Sequence, residues 1–202
     1  MGILLRRFGI MWDMGRRDTK TVFARAFHEL AAAEPVNKIT VGEICDRARK
    51  SPATFYRHFH DKYELAAWDY ALQVKDIANR IDQASYTWSD ALRDHLAMHW
   101  RNRGYLSNLL THTSGRDSFI LNMTDTSITI ARNLVGDPGD GGQPSDFDLY
   151  IRLYCHGITQ LICEWIMGSF EANPLLLAQC LENGLPNPLR PFLLPCEQNE
   201  RN

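Results

Sequence analysis

Two helix-start signals follow each other too closely for anything but short helices. Thr40 and Glu43 form a Thr-x-x-Glu capping box, in which side chains satisfy backbone N–H groups left free at a helix start. Ser51-Pro52 repeats the message a few residues later. Serine is a good N-cap, and proline suits the first helical position because its missing N–H would be unpaired there anyway. The spacing predicts one helix over Val41–Ala48, a tight turn at Arg49 and Lys50, and a second helix over Pro52–Phe59.

Helical periodicity continues on both sides. Val22, Phe23, Ala26, Phe27 and Leu30 place a preceding amphipathic helix over Arg17–Ala33, ended by Pro35 and Asn37. Asp61 is a cap for a longer helix over Lys62–Gln83. Further helices are expected from Trp88 or Ser89 to Arg101, and over Arg103–His112, Asp117–Val135, Phe147–Phe170 and Pro174–Asn183. Gly136–Ser145 reads as a loop, and the prolines after Gly184 read as an extended tail. No alternating strand pattern and no internal repeat occurs, so the fold class is all-α. The expected organisation is a flexible tail over residues 1–16, a three-helix N-terminal domain over 17–64, and a helical C-terminal domain over 65–202.

Composition narrows the function classes. The 202 residues suffice for a buried core without staples. No apolar run is long enough to span a bilayer, and Arg6 and Arg7 interrupt the short apolar stretch near the start, which argues against a signal peptide. The cysteines, Cys45, Cys155, Cys163, Cys180 and Cys196, are odd in number and lack Cys-x-x-Cys spacing. That pattern fits neither a disulfide framework nor a zinc site, and points to a reducing cytoplasm. Charge is uneven. Residues 1–65 hold 12 Lys/Arg and 8 Asp/Glu, a net of +4, which leaves −6 for the remainder of a chain with net charge −2. A basic front on an acidic body suits a polyanionic partner.

The ordered residues Ile39-Thr40-Val41, Ile44, Ala48, Ser51, Thr54-Phe55-Tyr56, His58-Phe59, Asp61-Lys62 and Leu65 closely resemble the N-terminal domain of TetR/AcrR-type transcriptional regulators. The likeness covers about Thr19–Leu65; beyond it only the helical pattern matches. It implies a helix-turn-helix whose second helix enters the DNA major groove. The DNA-facing set is Thr40, Arg49, Lys50, Ser51, Pro52, Ala53, Thr54, Tyr56, Arg57, His58 and Lys62. In the family the positions of Thr40, Tyr56 and Lys62 grip phosphates; Arg57 suits either a guanine edge or a phosphate. Phe55 and Phe59 are spaced to face the core. One departure stands out. The family's turn is commonly Ala-Gly-Val-Ser, whereas this chain has Ala48-Arg49-Lys50-Ser51. Glycine is favoured there because the turn wants positive φ, so Arg49 either carries strain or shifts the turn.

The resemblance also implies a homodimer on a palindromic operator, with recognition helices about 34–36 Å apart, and often a small effector. Helix 147–170 is apolar on most faces, which calls for burial on two sides. The expected dimer contacts are Tyr154, Ile158, Leu161, Trp165, Leu177 and Leu181. Candidate effector-lining residues are Trp68, His95, His99, Trp100, Tyr105, Phe119 and Met123. His95 and His99 share a helix face but lack further metal ligands in their vicinity, so no metal and no cofactor are expected. No nucleophile-elbow, phosphate-loop or zinc motif is present, and an enzyme is not expected. Two readings remain: a repressor released by a small effector, and a co-regulator or activator whose body docks a partner protein.

Overall fold

The computed structural model describes residues 18–81, 83, 85–115, 118–136 and 146–194. The expected N-terminal tail, the glycine-rich loop beyond Gly136 and Cys196 lie outside the described residues. The helices are α1 (Thr19–Ala31), α2 (Val41–Ala48), α3 (Pro52–Tyr56), α4 (Lys62–Ala78), α5 (Trp88–Arg101), α6 (Arg103–His112), α7 (Phe119–Val135), α8 (Asp146–Met167), α9 (Pro174–Asn183) and a short α10 (Arg190–Leu193). The fold is all-α, and no strand occurs among the described residues.

Caps set most of the boundaries. Asp18 accepts from the Lys20 N–H, Thr40 and Glu43 form the full capping box, Ser51 accepts from the Thr54 N–H, and Asp61 accepts from the N–H groups of Tyr63 and Glu64. Thr87 and Asp90 build a second capping box at the start of α5. Gly168, at φ 81°, ends α8 at Met167 and not at Phe170. Regular helix in α4 stops at Ala78, short of Gln83. In α3 it stops at Tyr56, and a turn carries the chain through Phe59.

The segment after Gly184 corrects the expected extended tail. Asn187–Leu189 forms a 3₁₀ turn that leads into α10. Pro188 and Pro191 sit in first-turn positions, where proline stabilises helix. Leu185, Leu189 and Leu193, four residues apart, are all buried against α7 and α8. Proline content suggests a breaker; the leucine spacing decides the outcome.

Apolar packing runs unbroken from the first helices into the body. Phe23 meets Phe55 edge-on with centroids 5.2 Å apart, and both are fully buried. The same buried cluster continues through Leu65, Tyr70, Leu96, Phe119 and Trp165 to Leu181. Polar groups on α4 and α6 also tie the first three helices to the body. Asp69 of α4 is only 1% exposed, and its Oδ2 accepts from His28 Nε2 of α1 (2.8 Å) and from Gln73 Nε2 (2.9 Å). Tyr105 of α6 stacks on the His28 ring at 3.7 Å. Nearby, Asn108 of α6 accepts from the Val36 N–H (3.0 Å) and donates to the carbonyls of Ala31 and Glu34 (2.8 Å each). It thereby satisfies carbonyls that the end of α1 leaves free.

Asn108→Ala is expected to lower stability by about 2 kcal/mol, because one partially buried N–H and two carbonyls lose their partners. Asn108→Asp is expected to cost more, since it aims oxygen at both carbonyls. Urea unfolding of the two variants against wild type checks the order.

Candidate nucleic-acid interface and body cavity

The turn between α2 and α3 settles the question that Arg49 poses. Its backbone sits in the left-handed region at φ 52°, ψ 47°, so the turn keeps its geometry and the arginine carries the strain. Its N–H still closes the helix onto Asp46, and the Lys50 N–H bonds the Cys45 carbonyl. Arg49, Lys50, Ser51, Pro52, Ala53, Tyr56 and Arg57 are exposed, while Phe55 and Phe59 hold α3 to the core. Thr54 and His58 are half-buried. Tyr56 is 59% exposed, high for an aromatic ring.

Several of these polar groups already have local work. The Thr40 hydroxyl accepts from the Glu43 N–H and donates to Glu43 Oε2. Bonds from Thr40 hold the Glu43 carboxyl below its ordinary value. The Ser51 and Thr54 hydroxyls bond each other at 2.9 Å. Lys62 Nζ donates to the carbonyls of Asn37 (2.9 Å) and Ile39 (2.5 Å), so the lysine pins the segment that enters α2. Burial lowers its pKa, and these two carbonyls take two of its three N–H groups.

A cavity of about 50 Å³ lies in the body between α4, α5, α7, α8 and the α10 segment. Two stripes line it: Trp88, Ala91, Leu92 and His95 on α5, and Ile151, Tyr154, Cys155 and Ile158 on α8. Val74, Ile77 and Ala78 of α4, Ser127, Ile130 and Ala131 of α7, and Ile81, Leu189 and Leu193 make up its other walls.

Of the expected effector-lining residues, only His95 lines this cavity. The structure puts the others elsewhere. Trp68 packs on Phe59 under the Lys20 ammonium. Tyr105 lies on His28. Phe119 is buried edge-on to Tyr70, Met123 is buried against Cys163, and His99 is fully buried. Trp100 is half-exposed and stacks on Trp165 at 5.2 Å, beside a separate surface pocket with Arg103 and Glu171.

The expected dimer contacts are also redistributed. Trp165, Leu177 and Leu181 are buried within the protomer, and the Tyr154 hydroxyl donates to the Leu181 carbonyl. Tyr154 and Ile158 line the cavity. Leu161 is half-buried. The exposed apolar side chains of α8 and α9 include Leu149, Tyr150, Leu153, Leu175 and Leu176. The cavity's two stripes each follow i, i+3, i+4, i+7, which the sequence displays, but ordinary core packing has the same spacing.

An all-helical chain with this turn, this exposed α3 face and a separate helical body has the architecture of helix-turn-helix DNA-binding regulators. Residues 25–67 match the bacterial regulatory proteins of the tetR family. Two solved structures share the fold over most of the chain. One is the dihydroxyacetone kinase operon activator DhaS, with 19% identity and a TM-score of 0.61, covering 87% of this chain and 98% of that one. The other is the TetR family repressor AlkX from Dietzia sp. strain DQ12-45-1b, implicated in biodegradation of n-alkanes, with 18% identity and a TM-score of 0.54, covering 89% and 99%. No curated protein matches the chain. The family likeness thus rests on residues 25–67, and the solved structures extend it to the fold of the remaining chain. Among the described residues no helix is long and apolar enough to cross a membrane.

Arg49→Gly is expected to raise stability by about 1 kcal/mol by removing the left-handed strain. Arg49→Ala keeps the Cβ and is expected to gain nothing, although it removes the same charge. Thermal melts of both separate strain from electrostatics.

Proposed function

We propose that the protein is a homodimeric repressor that binds a palindromic operator through residues 17–64 and is released by a small effector held in its body, residues 65–202. The site of action is the cytoplasm, where the DNA is. The observation that carries the reading is the reach of α4. At its start, Asp61 and Lys62 sit against the helix-turn-helix, and its last turns supply Val74, Ile77 and Ala78 to the cavity. A stiff helix of about 25 Å links the two sites. An effector that fits one position of α4 better than another shifts the head by that difference in affinity.

Thr40, Arg49, Lys50, Ser51, Pro52, Ala53, Thr54, Tyr56, Arg57, His58 and Lys62 form the DNA-facing surface in this reading. The first turn of α3 reads base edges, and Tyr56 and Lys62 contact phosphates. The dimer face in this reading is the outer side of α8 and α9. Tyr154 lies near Leu181 and Trp165 near Ala172, so the two helices run antiparallel. Leu153 is one turn from Gly157, where an added side-chain carbon would meet nothing within 4 Å, leaving room for a partner helix.

The second reading is an activator whose body docks a protein. It is favoured by the description of DhaS as an operon activator and by the half-exposed Trp100 beside its surface pocket. A purified body-docking protein that restores operator binding, with no small molecule present, supports it over the first reading.

Two outcomes are expected. Wild type binds operator DNA with affinity that falls steeply with salt, and Tyr56→Ala/Arg57→Ala weakens binding to every sequence with a shallower salt slope, by about one for each phosphate no longer held. Electrophoretic mobility shifts across a salt series measure both. Leu153→Arg/Leu176→Arg is expected to give a folded monomer by analytical ultracentrifugation and circular dichroism, with palindrome binding reduced at least to that of a half-site.

A further inference from the structure

We infer that the body cavity takes an uncharged, narrow, mostly apolar molecule with a hydrogen-bonding group at each end: an acceptor facing Trp88 and a donor facing His95. The inference rests on the reading of this cavity as the effector site, and it names the chemistry of the occupant.

Size and charge come first. About 50 Å³ is room for a few water-sized groups abreast, which suits a single ring or a short chain. Among the described residues, no Asp, Glu, Lys or Arg lines the cavity. An ionic ligand would lose its hydration there and gain no counter-charge, a cost that a neutral ligand avoids.

The polar groups of the lining are then separated by what they already bond. The Tyr154 hydroxyl donates its proton to the Leu181 carbonyl (2.7 Å), and the Ser127 hydroxyl donates to the Met123 carbonyl (3.0 Å), so neither offers a donor to an occupant. Trp88 Nε1–H is buried and has no partner among the described residues, so an acceptor placed against it removes a standing desolvation penalty.

His95 is read through its neighbours. His99 Nδ1 lies 2.8 Å from the His95 carbonyl and must donate to it, so His99 Nε2 is an acceptor in the neutral ring. The Tyr70 hydroxyl (3.3 Å) therefore donates to His99 Nε2, and its oxygen accepts from His95 Nε2 (3.4 Å). That order leaves the Nδ1 lone pair of His95 as its open position. Burial lowers the pKa of both rings, that of His99 to about 4, so the neutral forms used in this assignment hold at pH 7. Trp88 and His95 lie seven residues apart on one face of α5, about 10 Å along its axis. Both residues line the cavity, so the two polar positions are separated by about that distance along its α5 wall.

The test uses the full chain and its operator. Isothermal titration at pH 7 compares para-(hydroxymethyl)acetophenone, which carries a hydroxyl and a carbonyl at opposite ends, with para-methylacetophenone, para-methylbenzyl alcohol and the anion para-(hydroxymethyl)benzoate. The two-ended neutral compound is expected to bind at least 5-fold tighter than either one-ended compound and at least 10-fold tighter than the anion. Trp88→Phe keeps an aromatic ring and deletes the N–H. It is expected to weaken the two-ended compound at least 5-fold and leave para-methylbenzyl alcohol unchanged. Absence of binding by all three neutral compounds, equal binding of the anion, or an unchanged affinity in Trp88→Phe overturns the inference. Operator binding is followed in the same titrations. The expected binding pattern without any change in DNA affinity keeps the ligand class and rejects the effector reading instead.

Discussion

A carboxylate with almost no solvent around it holds the molecule's two halves together. Asp69 sits in the middle of α4, and its hydrogen bond from His28 fastens α1 to the helix that runs on into the body. Breaking such a contact leaves a buried charge behind, which costs far more than the contact contributes when intact. The pair therefore acts on geometry more than on stability: it fixes where α1 lies along α4. Tyr105, stacked on the His28 ring, extends the fixture to α6. One oxygen of Asp69 and the Tyr105 hydroxyl have no partner among the described residues, so this junction already carries a polar cost. A junction that is specific in position and costly to hold is suited to passing small displacements between head and body.

The cavity stands at the other end of the same helix. Its two long walls are helical stripes of mostly moderate side chains, one on α5 and one on α8, that leave space between them. Leu189 and Leu193 add a further side. Its wall is thus assembled from segments distant in the chain, and its shape depends on how α4 and the α10 segment lie.

The head is legible in the sequence because its signals are local. Capping residues, the apolar spacing of α1 and the Phe55–Phe59 pair each act within a turn or two, and each recurs in the structure. The positive φ at Arg49 is legible for the same reason. The body is legible only as helices. Aromatic content points to Trp68, Tyr105 and Phe119, yet large rings fill space, and a cavity forms where rings are few. Apolar richness on α8 points to a partner, but the same residues face inward as easily as outward. Which face Trp165 or Leu153 takes depends on α5, α7 and α9, and no local pattern encodes that. The Thr87–Asp90 box and the leucine spacing after Gly184 are present in the sequence, but the conspicuous prolines and the tryptophan at the start of α5 mask them.

Asn108 makes all three of its side-chain bonds to main-chain atoms. The body therefore grips the head without consulting its side chains at that point. Residues around the end of α1 are free to vary as long as the backbone keeps its path, and so are the exposed residues of α3, which lie elsewhere. The exposed face of α3 and the grip are for that reason separable traits: the face is open to drift or redesign while the mechanical joint stays intact. A head grafted from another chain of the same backbone course would meet the same asparagine and find its hydrogen bonds waiting.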